Sequence, residues 1–173
     1  MSEDGKADVV PLRPPGGEGD GATGRAPLRV LTLPERDRVG IVLVCRSRAL
    51  AQATLDECVR LLPGADPSPV AAVGTAPEGV VAAARQVDQG IGVAVLCDLP
   101  ETARSVLELL DRAEELALPF PIRFCDAPLV EGAVPAVATA TAGGDLAAVA
   151  EAAEDAYRVR KTPPHHPPHL LGN

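Results

Sequence analysis

Val39-Gly40-Ile41-Val42-Leu43-Val44-Cys45-Arg46-Ser47-Arg48 is the stretch on which the reading of the fold turns. A run of β-branched and leucine residues breaks into a short polar segment, and a helical pattern follows at once. An uninterrupted apolar run of this length, bounded by polar residues, reads as a parallel strand buried on both faces. In an open α/β sheet, ligands bind outside the carboxyl ends of the strands. Cys45, Arg46 and Ser47 are therefore delivered to the edge where chemistry is expected.

The pattern then repeats down the chain. Ala51, Leu55, Cys58, Val59 and Leu62 recur at helical spacing and predict one apolar helix face, stopped by Pro63-Gly64. Pro69–Gly74 predicts a second strand. Thr75 and Glu78 have capping-box spacing with Pro77 in the first turn, so a helix is expected there, burying Val80, Ala84 and Val87 and ending by Gly90. Ile91–Cys97 predicts a third strand. Asp98 with Glu101 repeats the helix-start signature, and Ala103, Val106, Leu107 and Leu110 are the expected buried stripe. Pro119-Phe120-Pro121 leads to a fourth strand, Ile122–Cys125. An alanine-rich helical segment follows to Ala142, with Pro135 expected to kink or delay it. Gly143-Gly144 breaks the chain, Asp145 caps, and Leu146, Val149, Ala150, Ala153 and Tyr157 line a last helix. Strands alternating with helices predict an α/β fold, an open four-stranded mostly parallel sheet with helices on both faces.

The flanks read differently. Residues 1–37 are rich in Gly, Pro and charge and are expected to be a disordered extension. Within them Leu28–Leu33 alternates as an edge strand would, before Pro34 ends it. Residues 158–173 form a basic, then Pro/His-rich tail, also expected to be disordered. The domain proper is 38–157.

Composition excludes several functions. The 173 residues carry a net charge of −8, against nucleic acid or an anionic lipid surface as partner. The core has to be aliphatic, since there is no Trp, one Tyr and two Phe. Four cysteines, Cys45, Cys58, Cys97 and Cys125, lie in apolar segments without CxxC pairing, as reduced thiols commonly do. No apolar run approaches the roughly 20 residues needed to span a bilayer, and Met1–Asp20 lacks the apolar core of a signal peptide. The expectation is a soluble cytoplasmic protein without membrane insertion. No cofactor and no metal site is implied.

The order of motifs resembles a known family. Val42-Leu43-Val44-Cys45-Arg46-Ser47, Ala71-Ala72-Val73-Gly74-Thr75, Val93-Ala94-Val95-Leu96-Cys97-Asp98-Leu99 and Leu107-Glu108-Leu109-Leu110 follow one another. Asp126-Ala127-Pro128-Leu129-Val130-Glu131-Gly132-Ala133 and Gly144-Asp145-Leu146 complete the series. Residues 38–157 resemble the mannose-type enzyme IIA domain of the phosphotransferase system, in the form found in the phosphotransfer subunit of bacterial dihydroxyacetone kinase. The resemblance implies a parallel α/β fold with strand order second, first, third, fourth. It implies a homodimer by default. It further implies a domain that accepts a phosphoryl group from the carrier HPr on one histidine, for delivery to dihydroxyacetone kinase subunits or to a transporter's IIB component.

In that family the acceptor histidine stands in a Ser-His-Ser segment after the first strand. The matching residues here are Cys45, Arg46 and Ser47, so Arg46 occupies the acceptor position. Neutral imidazole is a nucleophile near pH 7, whereas guanidinium stays protonated and only donates. His165, His166 and His169, all in the tail, are the chain's histidines. Asp98 matches a family aspartate beside the acceptor, but the Gly-Ser segment after it is missing, and the loop after Gly74 is shortened.

Each candidate carries a plainer alternative. Arg46 is either an anion-binding residue or an exposed loop arginine. Asp98 is either a remnant of an anion site formed with Cys45, Arg46 and Ser47, or a helix N-cap; Asp126 has the same ambiguity. Cys45, Cys97 and Cys125 end strands that the family order places side by side, as a thiol cluster or as ordinary core residues. The Pro/His-rich tail is either a weak metal binder or a plain extension. Glu131 and Gly132 are assigned to packing and turn geometry. The expected function is a degenerate enzyme IIA-like domain that binds or regulates without relaying phosphate through histidine. An active phosphoryl-transfer subunit for dihydroxyacetone phosphorylation and a small-anion sensor using Arg46 are the alternatives.

Overall fold

The computed structural model describes residues 37–62, 64 and 66–161. The alternating segment Leu28–Leu33, Pro63, and the Pro/His-rich tail beyond Lys161 lie outside the described residues. Within them the chain runs β1 (Gly40–Val44), α1 (Arg48–Leu61), β2 (Val70–Val73), α2 (Pro77–Val87), β3 (Val93–Cys97), α3 (Pro100–Leu110), β4 (Ile122–Phe124), α4 (Leu129–Thr141) and α5 (Leu146–Glu154). A 3-10 turn, Asp155–Arg158, closes the domain.

The sheet order is β2-β1-β3-β4, the order expected, and all four strands are parallel. Side chains alternate across β1, so its two faces feed two separate cores. Ile41, Leu43 and Cys45 pack with Leu96, Cys125 and the inner faces of α1, α4 and α5. Val42 and Val44 pack with Val93, Val95, Cys97 and residues of α2 and α3. With helices on both faces, Val39 and Ile41–Cys45 are fully shielded, which is why the strand tolerates no polar residue.

Two glycines permit close approach. A Cβ on Gly40 would sit 2.7 Å from Val87 Cγ2 and run into the Val87 carbonyl, so the end of α2 rests directly on the β1 backbone. A Cβ on Gly132 would lie 2.8 Å from Ala127 Cβ and 3.1 Å from the Ala153 carbonyl, which lets α4 seat against the β4–α4 loop and α5. The assignment of Gly132 to packing thus has a geometric basis.

Several local expectations change. Thr75 does not cap α2; Ala76 is the N-cap and makes no side-chain bond, with Pro77 supplying the preset first turn. On α1, Ala51, Thr54 and Cys58 are buried while Val59 is exposed. On α3, Val106 is buried and Ala103 and Leu110 pack against the same core as expected, joined by Thr102 and Leu109, while Leu107 is 44 % exposed and falls outside the stripe. α4 does not wait for Pro135 but runs through it. The proline cannot donate to the Glu131 carbonyl, and Glu131 lies on an exposed turn where solvent can serve that group. Asp145 does cap α5, its Oδ1 accepting from the Ala148 N–H at 2.8 Å. Tyr157 falls in the 3-10 turn rather than on the helix stripe and is 65 % exposed.

Candidate functional site

Because β1 and β3 are adjacent while their crossovers lead away in opposite directions, their carboxyl ends flank the sheet's topological switch point, the usual ligand crevice of such folds. The segment Cys45-Arg46-Ser47 leaves β1 here. Cys45 is buried, its N–H donating to the Val73 carbonyl at 3.1 Å. The Arg46 N–H donates to Asp98 Oδ2 at 2.9 Å, across the gap between the two strand ends. Ser47 is the N-cap of α1, its Oγ accepting from the Leu50 N–H at 3.4 Å. Arg46 itself is exposed.

Asp98 is therefore not a helix cap. Leu99 holds that position for α3, without a side-chain bond, and the Asp98 carboxylate turns toward β1 instead. Its Oδ1 is buried and has no hydrogen-bond partner among the described residues. Asp126 is not a cap either: Pro128 precedes α4, and Asp126 Oδ1 accepts from the Tyr157 hydroxyl at 3.1 Å. That bond to a carboxylate raises the Tyr157 phenol above its ordinary pKa. Glu131 is exposed, and an ion pair with Lys161 holds its carboxyl below the usual range.

The three strand-end thiols are neighbours, Cys45 and Cys125 each adding to the rise at Cys97, but they do not share one face of the sheet. Period-two alternation sends Cys45 and Cys125 into one core and Cys97 into the other. Burial, with the Asp98 charge second, pushes Cys97 up to about 12 and Cys45 to about 11. Cys125 also rises to about 11, by burial first and the nearby Glu154 charge second. At neutral pH such thiols are protonated and poor nucleophiles. Among the described residues no three His, Cys, Asp or Glu side chains converge as a metal set.

Among the described residues, two concavities reach the carboxyl edge. One, of about 470 Å³, lies between α3 and the β4–α4 loop, where Asp98, Leu99, Arg104, Leu107, Asp126 and Tyr157 meet. The other, of about 460 Å³, lies between α2 and α3. Tyr157 and Thr102 were not site candidates from sequence. Thr102 was legible only as the polar member of the i, i+4, i+7 series Thr102, Val106, Leu109, which competes with the stripe through Leu107. No helix among the described residues is long and apolar enough to cross a membrane.

No curated protein matches the chain. A solved crystal structure of the unknown function protein EF1359 is similar, at 21 % identity and a TM-score of 0.57, covering 68 % of this chain and 94 % of that one. At that identity the likeness speaks for the fold. The family model described as the PTS system fructose IIA component matches residues 40–150, from the start of β1 into α5. Matched over most of its length by that model, on a parallel sheet of order β2-β1-β3-β4, the chain belongs to the mannose-type enzyme IIA family of the phosphotransferase system.

Proposed function

We propose that this enzyme IIA-type domain does not relay phosphate through a histidine and acts as a binding or regulatory component beside other phosphotransferase or dihydroxyacetone kinase proteins. The observation that carries this reading is Arg46, lying between Cys45 and Ser47 at the switch point with its backbone tied to Asp98. In this reading it takes the place of the phosphoacceptor histidine. A guanidinium can hold a phosphate as a cation and donor, but has no free lone pair with which to accept a phosphoryl group.

The neighbouring groups support the same view. Cys45 and Cys97 are held protonated. One Asp98 oxygen is buried and the other is engaged by the Arg46 N–H. Enzyme IIA domains work with other phosphotransferase proteins, so HPr, kinase subunits or a second copy of this chain are the expected partners, in the cytoplasm.

Incubation with phosphoenolpyruvate, enzyme I and HPr tests the reading. Intact-mass measurement is expected to show no acid-labile gain of one phosphoryl group. Stoichiometric phosphorylation within residues 38–157 overturns it and restores the active phosphotransfer subunit. Calorimetry with inorganic phosphate and phosphoenolpyruvate, repeated on Arg46→Ala, tests the small-anion alternative: saturable heat lost in the variant would favour it.

A further inference from the structure

Between α3 and the β4–α4 loop, the cavity of about 470 Å³ gathers apolar side chains at the surface. Leu99, Leu107 and Tyr157 are exposed on its wall, with Phe124 and Pro128 half-buried behind them. Tyr157 is the chain's single tyrosine. Its hydroxyl is tied to Asp126 Oδ1 at 3.1 Å while most of the residue stays exposed, so ring surface is held at the rim.

The same wall is short of a cation. Asp98 and Asp126 both line it, against Arg104 as its one basic residue. Asp98 Oδ2 is taken by the Arg46 N–H. Asp98 Oδ1 is the one buried side-chain atom among the described residues without a hydrogen-bond partner. A polar atom left in that condition is costly, and most native ones are satisfied. A donor brought in through the cavity would complete this carboxylate.

The chain's own continuation stands beside the groove. Tyr157 belongs to the 3-10 turn Asp155–Arg158, and Lys161, just beyond it, pairs with Glu131 in the first turn of α4. That helix starts directly after Pro128, itself on the cavity wall. The ion pair therefore fixes the last described residue next to the cavity. The sequence then reads Thr162-Pro163-Pro164-His165-His166-Pro167-Pro168-His169-Leu170-Leu171, and the chain's three histidines all lie here. This composition supplies what the groove lacks. Aromatic-lined grooves take proline-rich segments in extended form, and imidazole N–H groups donate to carboxylates. At about 3.1 Å per extended residue, His165 can stand about 12 Å from Lys161 and His169 about 25 Å. So short a tether gives an effective concentration on the order of millimolar, at which weak contacts suffice.

We propose that residues 162–171 dock in cis into this cavity, their prolines against Tyr157 and Leu107 and one tail imidazole donating to the Asp98 carboxylate. That ring faces Asp98 from the end of β3, Asp126 from the β4–α4 loop, Arg104 from α3 and the Tyr157 hydroxyl from the 3-10 turn. Two carboxylates against one guanidinium favour its protonated form. The docking asks nothing of the Arg46 guanidinium and stands whether or not the domain relays phosphate.

Proton titration of the imidazoles in the full chain, followed by ring chemical shifts with a metal chelator present, tests the proposal. At least one of His165, His166 and His169 is expected to titrate about half a pH unit or more above the ordinary value of about 6.5. Nuclear Overhauser contacts are expected between tail prolines and the Tyr157 ring. Asp98→Asn should return the raised imidazole to the ordinary range. Asp88→Asn, at the far end of α2 where Asp88 accepts from the Gly90 N–H, should leave it unchanged. Leu107→Ser, at an exposed position, should abolish the contacts to Tyr157 without altering the amide dispersion of the rest of the domain. Three ordinary imidazoles in the full chain overturn the proposal, as does a raised one that ignores Asp98→Asn. A raised imidazole that appears only as protein concentration increases assigns the groove to a second copy's tail, and overturns docking in cis.

Discussion

Asp98 is the residue whose role shifts most once its surroundings are known. A carboxylate followed by Leu-Pro-Glu has every local mark of a helix start, yet its side chain crosses to the neighbouring strand and accepts the Arg46 N–H. Its negative charge is also the second cause, after burial, of the raised Cys45 and Cys97 thiols. Asp98→Ala should therefore cost about 1 kcal/mol, the usual net worth of one hydrogen bond, read as a shift in urea midpoint. Asp98→Asn leaves an oxygen to accept the same bond and should cost less. It also removes the charge, so the Cys45 and Cys97 pKa values should fall toward the ordinary thiol range in a thiolate absorbance titration. A thiol pKa unchanged in Asp98→Asn would show that burial alone sets it.

At the scale of elements, β1 and α2 meet in a close backbone approach. Gly40 has no room for a methyl group, because the Val87 carbonyl and side chain occupy the space. Gly40→Ala is expected to destabilise by about 1–3 kcal/mol through overpacking, seen as a lower melting temperature. Gly74→Ala is the matched control: nothing lies within 4 Å of its added carbon, and such substitutions usually stay within about 0.5 kcal/mol. The exposure of Leu107 on α3 belongs to this scale as well. Thr102-Val106-Leu109 and Ala103-Val106-Leu107-Leu110 both satisfy helical periodicity. Where α3 lies over β3 and β4 beside α2, Val106 and Leu109 meet the core of Val42 and Val95, Ala103 and Leu110 pack half-buried at its side, and Leu107 alone is left out. Leu107 is left at the rim of the other cleft, near Tyr157. That placement depends on neighbours distant in sequence.

For the molecule as a whole, the buried thiols set the behaviour at alkaline pH. Burial raises Cys45, Cys58 and Cys125 from 9.0 to about 11 and Cys97 to about 12. The unfolded chain releases these protons first, so above pH 9 the folded state holds more of them. Stability therefore falls as pH rises from about 9 towards 12. Near neutral pH these four groups contribute no slope, because they are protonated in both states. Urea midpoints measured across this range should stay level near neutrality and then decline. Cys97→Val, which removes the largest shift, should flatten the decline. An undiminished slope in that variant would assign the effect elsewhere.

The same molecule separates what the chain specifies locally from what only its folding decides. The alternation of strands and helices, the strand order, the burial of Val39–Cys45 and the cap at Asp145 were all legible. Each follows from local signals or from motif order. So was the chemistry available at Arg46, since a guanidinium is a donor wherever it sits. The partner of Asp98, the division of the three strand-end cysteines between two cores, the exposure of Leu107 and the Tyr157–Asp126 bond were not. All of these depend on which residues from distant segments meet. One apolar period fits two helix faces, one carboxylate fits a cap or a cross-strand acceptor, and only packing around the β2-β1-β3-β4 sheet chooses between them.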